Sequence, residues 1–326
     1  MKILIATDAW EPQINGVVTT LLKIKELSEN VCFITPDDFK TYHNPFYPEI
    51  RIALPSVKII EKVIQRHNPD FIHIATEGPI GWAVRRWCIQ NKIKFTTSYH
   101  TKFPEFIQSF FRIPTWMTYW FFRNFHNAGN GTFVATSSLA KELGDRGFKN
   151  LIPWARGVDT KVFHPNKTIT EPYILYVGRV SVEKNIRAFL DIKTEFRKVV
   201  VGDGPELKAL TKRYPDVEFV GKQKGSMLSY WYQNAEVFVF PSKNDTFGLV
   251  MLEALACGTP VAAYPVTGPI DIIHPGVGDI NEDLSIACIM ARFANREVCR
   301  SYAERFDWSH VVKLFEQNII NKKAES

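Results

Sequence analysis

Val237-Phe238-Val239-Phe240-Pro241-Ser242-Lys243-Asn244-Asp245-Thr246-Phe247-Gly248-Leu249-Val250-Met251-Leu252-Glu253-Ala254-Leu255-Ala256-Cys257-Gly258-Thr259-Pro260 reads as a strand, a polar loop and a helix with a glycine stop. Four β-branched or aromatic residues without a polar interruption suit a strand buried on both faces. The run from Leu249 to Ala256 suits a helix that Asp245 or Thr246 is placed to cap and Gly258 to close. Backbone N–H groups at the start of such a helix attract a diphosphate, and Gly248 lets an anion approach closely. Glu253 is the one charge inside the helix. It lies off the apolar stripe of Phe247, Val250, Met251 and Ala254, where a carboxylate accepts hydrogen bonds from sugar or ribose hydroxyls. Taken alone, the stretch reads more readily as a capped helix with one satisfied glutamate.

The same kind of buried strand recurs on either side. Tyr173 to Val177, Lys198 to Val201, Glu218 to Val220 and Pro260 to Ala263 complete a series of strands separated by helical patterns. An earlier series runs Ile3 to Thr7, Val31 to Thr35, Phe71 to Ala75, Phe95 to Ser98 and Thr132 to Thr136. Repeated strand–helix alternation of this type indicates parallel sheets built from βαβ units. A polar, proline-containing stretch from His164 to Pro172 separates the two series and reads as a linker. The expected class is α/β, with two doubly wound domains, residues 1–165 and 166–303, facing one another across a cleft.

Two loops of the second series carry charge and glycine. Tyr176-Val177-Gly178-Arg179-Val180-Ser181-Val182-Glu183-Lys184-Asn185 is a strand, a turn and a helix start, in which Arg179 can fork onto phosphate oxygens and Lys184 adds a point charge. An ordinary ion pair at a helix start accounts for it equally well. Val201-Gly202-Asp203-Gly204-Pro205-Glu206-Leu207 looks like a dinucleotide fingerprint, but Leu207 stands where the third glycine belongs, and a tight strand-to-helix turn explains it. In the first series, Glu11-Pro12-Gln13-Ile14-Asn15-Gly16-Val17 precedes a helix from about Val18 and can present the Gly16 amide to a phosphate. His100 ends a strand at a sheet's carboxyl edge, within reach of a bound sugar, although lone histidines there more often pack or cap. Nine aromatics between Phe106 and Phe125, among them Phe110, Phe111, Trp116, Trp120, Phe121 and Phe122, are flanked by Arg112 and Arg123. They fit a helix pair dipping into lipid headgroups and an aromatic cover on the sheet equally.

With 326 residues and 45% apolar composition the chain can bury two cores. Its five cysteines are scattered, with no pair spaced for a disulfide framework or a zinc site, which points to a reducing cytoplasm. No stretch approaches the roughly 20 apolar residues of a membrane span. Residues 1–165 carry 20 Lys and Arg against 14 Asp and Glu, whereas residues 166–326 carry 20 of each, so the net charge of +6 sits in the first half. That bias suits an anionic membrane surface or a phosphorylated substrate, and equally a solvated lysine-rich face; nucleic acid is not an expected partner. No Asp-x-Asp pair for a metal carrying a nucleotide sugar, no Walker loop and no GxSxG or HExxH motif occurs, so neither a cofactor nor a metal is expected.

Together these loops resemble the large family 4 of retaining glycosyltransferases, whose GT-B fold has two facing Rossmann-like domains. The segment from Pro241 to Ala254 with Cys257-Gly258-Thr259-Pro260-Val261 is similar to that family's acidic-x7-Glu signature. The resemblance implies Gly178, Arg179 and Lys184 at the diphosphate, Gly16 at the donor phosphate, His100 near the donor sugar, Asp245 on the transferred sugar and Glu253 on the ribose; the helix start at Phe247, Gly248 and Leu249 is expected to add its amides to the diphosphate. The first acidic position is usually glutamate. Thr267-Gly268-Pro269-Ile270-Asp271, Arg156-Gly157-Val158-Asp159 and Tyr99-His100-Thr101 are similar to a bacterial subset of mannosyl- and sulfoquinovosyl-type lipid glycosyltransferases. The tail, residues 304–326, resembles the family's final helix, which crosses back onto the N-terminal domain. The implied activity moves a hexose from GDP-mannose or a UDP-sugar to a lipid or lipid-linked glycan at the cytosolic face of the membrane. A GT-B epimerase acting on the donor alone and a non-catalytic sugar-nucleotide binder are the competing readings.

Overall fold

The computed structural model describes the chain except residues 14, 44–49, 167, 169–170 and 325–326; the side chains of residues 106, 109–111 and 323–324 are also outside the description. The chain divides into two compact units, Met1–Ala155 with Val311–Ser326, and Arg156–His310.

In the first unit the strands are β1 (Ile3–Ala6), β2 (Val31–Ile34), β3 (Thr41–His43), β4 (Arg51–Ala53), β5 (Phe71–Ile74), β6 (Phe95–Tyr99), β7 (Gly131–Val134) and β8 (Leu151–Pro153). Six of them form one parallel sheet in the order β2-β1-β5-β6-β7-β8, while β3 and β4 pair antiparallel. The sheet reverses direction of growth between β1 and β5. Leu4, Ala6, Ile72 and Ile74 on these central strands are buried against Ile60, Ile64, Ile80 and Val84 of the covering helices. The strands are buried on both faces, which is why they read as unbroken apolar runs.

The second unit contains β9 (Tyr173–Val177), β10 (Arg197–Val201), β11 (Glu218–Gly221), β12 (Val237–Phe240), β13 (Val261–Ala263) and β14 (Gly278–Ile280). Their order is β11-β10-β9-β12-β13-β14, all parallel. Counted within this unit, that is 3-2-1-4-5-6, the arrangement of dinucleotide-binding sheets, with its switch point between β9 and β12.

The division falls after Ala155, ten residues before the expected boundary at residue 165. The turn after it is tied to the end of the second unit: the Val158 amide donates to the Phe306 carbonyl at 2.8 Å, and a Cβ on Gly157 would stand 2.5 Å from the Trp308 indole. The Arg300 guanidinium also donates to the carbonyls of Thr160, Phe163 and Ala256. Of the expected tail 304–326, the part from Val311 belongs with the first unit. On helix Trp308–Ala324, Phe315 is wholly buried among the rings of His73, Phe133 and Trp154, and the Trp154 indole N–H donates to the Val311 carbonyl at 2.9 Å.

Candidate active site at the switch point of the second sheet

Loops leaving β9 and β12 meet at the switch point. After β9, Gly178 and Arg179 lead into a 3-10 turn, Val182–Lys184, which Asn185 ends in a left-handed conformation at φ 53°. The Asn185 side-chain amide then donates to the carbonyl of Pro241, just past β12, at 3.0 Å. This tether sets one loop against the other. Lys184 Nζ consequently stands 2.5 Å from Asp245 Oδ1, with about a third of the lysine and a quarter of the aspartate side chain exposed (32% and 24%). Arg179 is exposed on the same loop as Lys184, its carbonyl accepting from the buried Tyr176 hydroxyl at 2.7 Å.

Glycines let a third loop close in from β10. A Cβ on Gly202 would lie 1.9 Å from the Gly178 carbonyl oxygen, and one on Gly204 2.3 Å from that of Val180. The Val180 amide donates to Asp203 O and the Glu206 amide to Val180 O. Backbone-to-backbone packing therefore accounts for the Gly-Asp-Gly turn that mimics a dinucleotide fingerprint. Gly202→Ala forces these backbones apart at a φ of 152°, and is expected to destabilise the chain by about 3 kcal/mol, measurable as a lower urea midpoint with an unchanged m-value.

Helix Leu249–Ala256 opens on Gly248, at φ 90°, with no side-chain cap. The expectation that Asp245 or Thr246 caps it is corrected: the helix starts four residues beyond Asp245, whose carboxylate is held by Lys184. The glycine is required there, because a Cβ would sit 2.9 Å from the Phe240 ring and from Met251 Cε. Phe247 is buried beneath, Leu249 is half-buried at the first helical position, and Gly268, at φ 98°, brings the Thr267-Gly268-Pro269 turn against the Phe247 carbonyl. The helix ends through Cys257 and the left-handed Gly258 (φ 76°), as its sequence indicates.

Glu253 lies on the second turn of this helix, partly open to solvent. Its Oε2 accepts from the wholly buried Tyr232 hydroxyl at 2.9 Å. Burial pushes the Glu253 carboxyl up to about 7, against the opposing effect of the Tyr232 hydrogen bond.

In the first unit Gly16 opens helix Gly16–Leu27, two residues earlier than expected, and is exposed. The Asn15 side chain caps that helix by accepting from the Val17 and Val18 amides, both at 3.0 Å; Ile14 of the same loop lies outside the described residues. His100 stands half-buried immediately past β6. At the switch point between β1 and β5, the Asp8 carboxylate accepts from the amides of Ile80 and Gly81 and from the Thr76 hydroxyl. Burial raises the Asp8 carboxyl above its ordinary range in spite of these donors. The structure thus brings Lys184 and Asp245 into contact and sets Gly178, Arg179, Phe247, Gly248, Leu249 and Glu253 on the elements around one switch point; Gly16 and His100 belong to the other unit. Two open hollows, one lined by His274, Val298, Tyr302 and Arg305 and one by Val162, Met227, Tyr230 and Gln233, include none of these residues.

Asn185, Tyr232 and Asp8 had no role in the sequence reading. A signal existed for Asn185, since asparagine is among the few residues that tolerate φ > 0 at the end of a turn. Tyr232 lies 21 residues from Glu253 in an unremarkable helical run, Gly225–Asn234, and the fold alone joins them.

Residues 17–162 match the model of glycosyltransferase family 4, and residues 171–291 that of the glycosyl transferases group 1. This chain belongs to the family 4 glycosyltransferases. The transferase is 29% identical over 318 residues to a GDP-mannose-dependent alpha-mannosyltransferase of Corynebacterium glutamicum, covering 87% of this chain and 77% of that protein. It is 27% identical to the sulfoquinovosyl transferase SQD2 of Arabidopsis thaliana (87% and 66% covered) and 27% identical to an alpha-monoglucosyldiacylglycerol synthase of Streptococcus pneumoniae (81% and 71%). The fold matches a sucrose-phosphate synthase of Thermosynechococcus elongatus over 100% of both chains, with a TM-score of 0.78 at 20% identity. The transferase is an enzyme of GT-B type that uses nucleotide sugars, and the fold and family expected from its loops hold.

Proposed function

We propose that the transferase moves a hexose, with retention and without a metal, from a nucleoside diphosphate sugar to a hydroxyl of a membrane lipid. The observation that carries this reading is the meeting of Lys184 and Asp245 at the switch point of a dinucleotide-type sheet, beside a helix start that has no side-chain cap. Arg179, Lys184 and the first amides of helix Leu249–Ala256 meet the negative charge that grows on the departing diphosphate while the sugar becomes oxocarbenium-like. Asp245 orients the sugar, and Glu253, steadied by Tyr232, accepts from ribose hydroxyls. The acceptor attacks from the face the leaving group vacates, and its proton passes to the donor's phosphate, so the protein supplies no nucleophile. The cations at the diphosphate and the lack of an Asp-x-Asp pair in the sequence support a reaction without metal. GDP-mannose is the first donor to test, because it is named for the Corynebacterium relative.

The lipid acceptor rests on the name of the diacylglycerol-acting relative and on the aromatic segment. That segment forms helices Phe103–Phe111 and Thr115–His126, and it divides its aromatics. Tyr119, Phe122 and Phe125 are buried, while Trp116 is 72% exposed and Trp120 57%, with Met117, Phe121 and Arg112 also exposed; the side chains of Phe110 and Phe111 lie outside the described residues. The buried rings pack into the core of the first unit, and the exposed ones are those that a lipid surface would engage. No helix among the described residues is long and apolar enough to cross a membrane. Replacing Trp116 and Trp120 together with Ser is expected to weaken cosedimentation with anionic phospholipid vesicles by about tenfold or more, with donor binding in solution unchanged. The whole assignment is tested by incubating the transferase with GDP-mannose, UDP-glucose and lipid extract in EDTA, then assaying free nucleotide and the anomeric configuration of any glycolipid. Inversion, dependence on added metal, or nucleotide release without a glycolipid would each overturn the corresponding part.

A further inference from the structure

Helix Leu284–Ala291 is apolar nearly all round. Its inner face, Leu284, Ala287, Cys288 and Ala291, is buried in the second unit's core with Val237, Val239 and Ala262. Its outer face is open to solvent: Ile286 is 46% exposed, Ile289 55%, Met290 50%, and Phe293, in the turn that follows, 81%. These positions follow the i, i+3, i+4, i+7 rhythm of one helical stripe, and Phe293 is the most exposed large hydrophobic side chain among the described residues. Charges sit at the two ends. Glu282 and Asp283 precede the helix, and the Arg292 guanidinium closes it, held 4.5 Å over the Phe196 ring.

We propose that this face is the interface at which two copies of the transferase pair about a twofold axis, with the two helices antiparallel. A twofold contact is self-complementary. Here it lays stripe on stripe and brings the acidic end of each helix to the Arg292 end of the other. The charge pattern also selects this occupant over a lipid surface, because Glu282 and Asp283 at the rim are repelled by anionic headgroups. One helix face is a small interface, so a dissociation constant on the order of 10 µM is expected. This inference is independent of the substrate reading: no residue of the switch-point site takes part.

Sedimentation equilibrium of the full chain across micromolar concentrations tests it. A monomer–dimer equilibrium is expected, weakened about tenfold or more by Phe293→Ser and by Ile289→Asp, each loss corresponding to roughly 1.4 kcal/mol or more. Arg292→Glu should weaken it as well, and adding Glu282→Arg to Arg292→Glu should recover most of the loss. That reciprocal recovery cannot come from a variant that merely folds badly. A monomer at every concentration, a dimer indifferent to all of these changes, or a patch whose variants lose vesicle binding while the protein stays monomeric overturns the proposal.

Discussion

Lys184→Ala is expected to lower kcat at least tenfold with saturating donor, a loss of about 1.4 kcal/mol or more in transition-state stabilisation. The stability of the protein should change little. The ammonium is about a third exposed, and its pair with Asp245 is of the half-solvated kind that contributes about 1 kcal/mol or less. A purely structural ion pair would give the opposite pattern, with the melting temperature falling and turnover holding. Lys184→Arg separates charge from shape. It keeps a cation but replaces a point charge with a planar fork, and should recover part of kcat. Asp245→Asn supplies the last control: it leaves the ammonium without its partner, so a loss confined to sugar discrimination assigns Asp245 to the sugar and Lys184 to the phosphate. Near-normal turnover in Lys184→Ala would remove the lysine from the mechanism.

Much of this site was legible because its parts are local. The strand Val237–Phe240, the helix Leu249–Ala256 and the Gly258 stop all stand where the sequence puts them, since each is written in a continuous run of residues. The cap was misread for a physical reason. Asp245 is chemically a good N-cap, but a lysine 61 residues away competes for its carboxylate, and that competition is a property of the fold. Short strands were also missed. β8 and β14 have three residues each, one ending in proline and the other beginning Gly-Asp, so neither offers more than two strand-forming residues in a row. The domain boundary at residue 165 followed the polar linker, whereas the turn from Arg156 is fastened by the backbone of Val158 and Phe306, a pairing that composition does not reveal. Sequence reading worked wherever one element carried its own evidence, and failed wherever a partner distant in the chain decided the outcome.

Glu253→Gln is expected to make the transferase more stable above pH 7 and a poorer enzyme. The wild-type carboxyl is pushed up to about 7 in the folded chain against 4.5 as its ordinary value, because its partial withdrawal from water outweighs the hydrogen bond it accepts from the Tyr232 hydroxyl. Between those two values the folded state still holds a proton that the unfolded chain has released. Stability therefore falls as pH rises through this window, and the penalty levels off above pH 7 at about 3 kcal/mol. Glutamine carries no charge to desolvate, and its Oε1 can accept the same hydrogen bond. The variant should accordingly match the wild type below pH 4.5 and gain on it progressively up to pH 8, where a melting-temperature difference of about 5–10 °C is expected. Equal melting temperatures at pH 5 and pH 8 would mean that the carboxyl titrates normally. Donor binding should move the other way. The ionised carboxylate is the better acceptor for ribose hydroxyls, so wild-type donor affinity should strengthen as pH rises through 7, and the variant should lose that dependence together with about tenfold in kcat/KM, the loss of one charge-assisted hydrogen bond. Tyr232→Phe sharpens the test, because removing the hydroxyl removes the interaction that holds the Glu253 carboxyl down, and the pH dependence of donor binding should shift upward rather than vanish. A carboxylate kept at a stability cost, on the helix that opens at the switch point, is the behaviour expected of a residue retained for its ligand rather than for the fold.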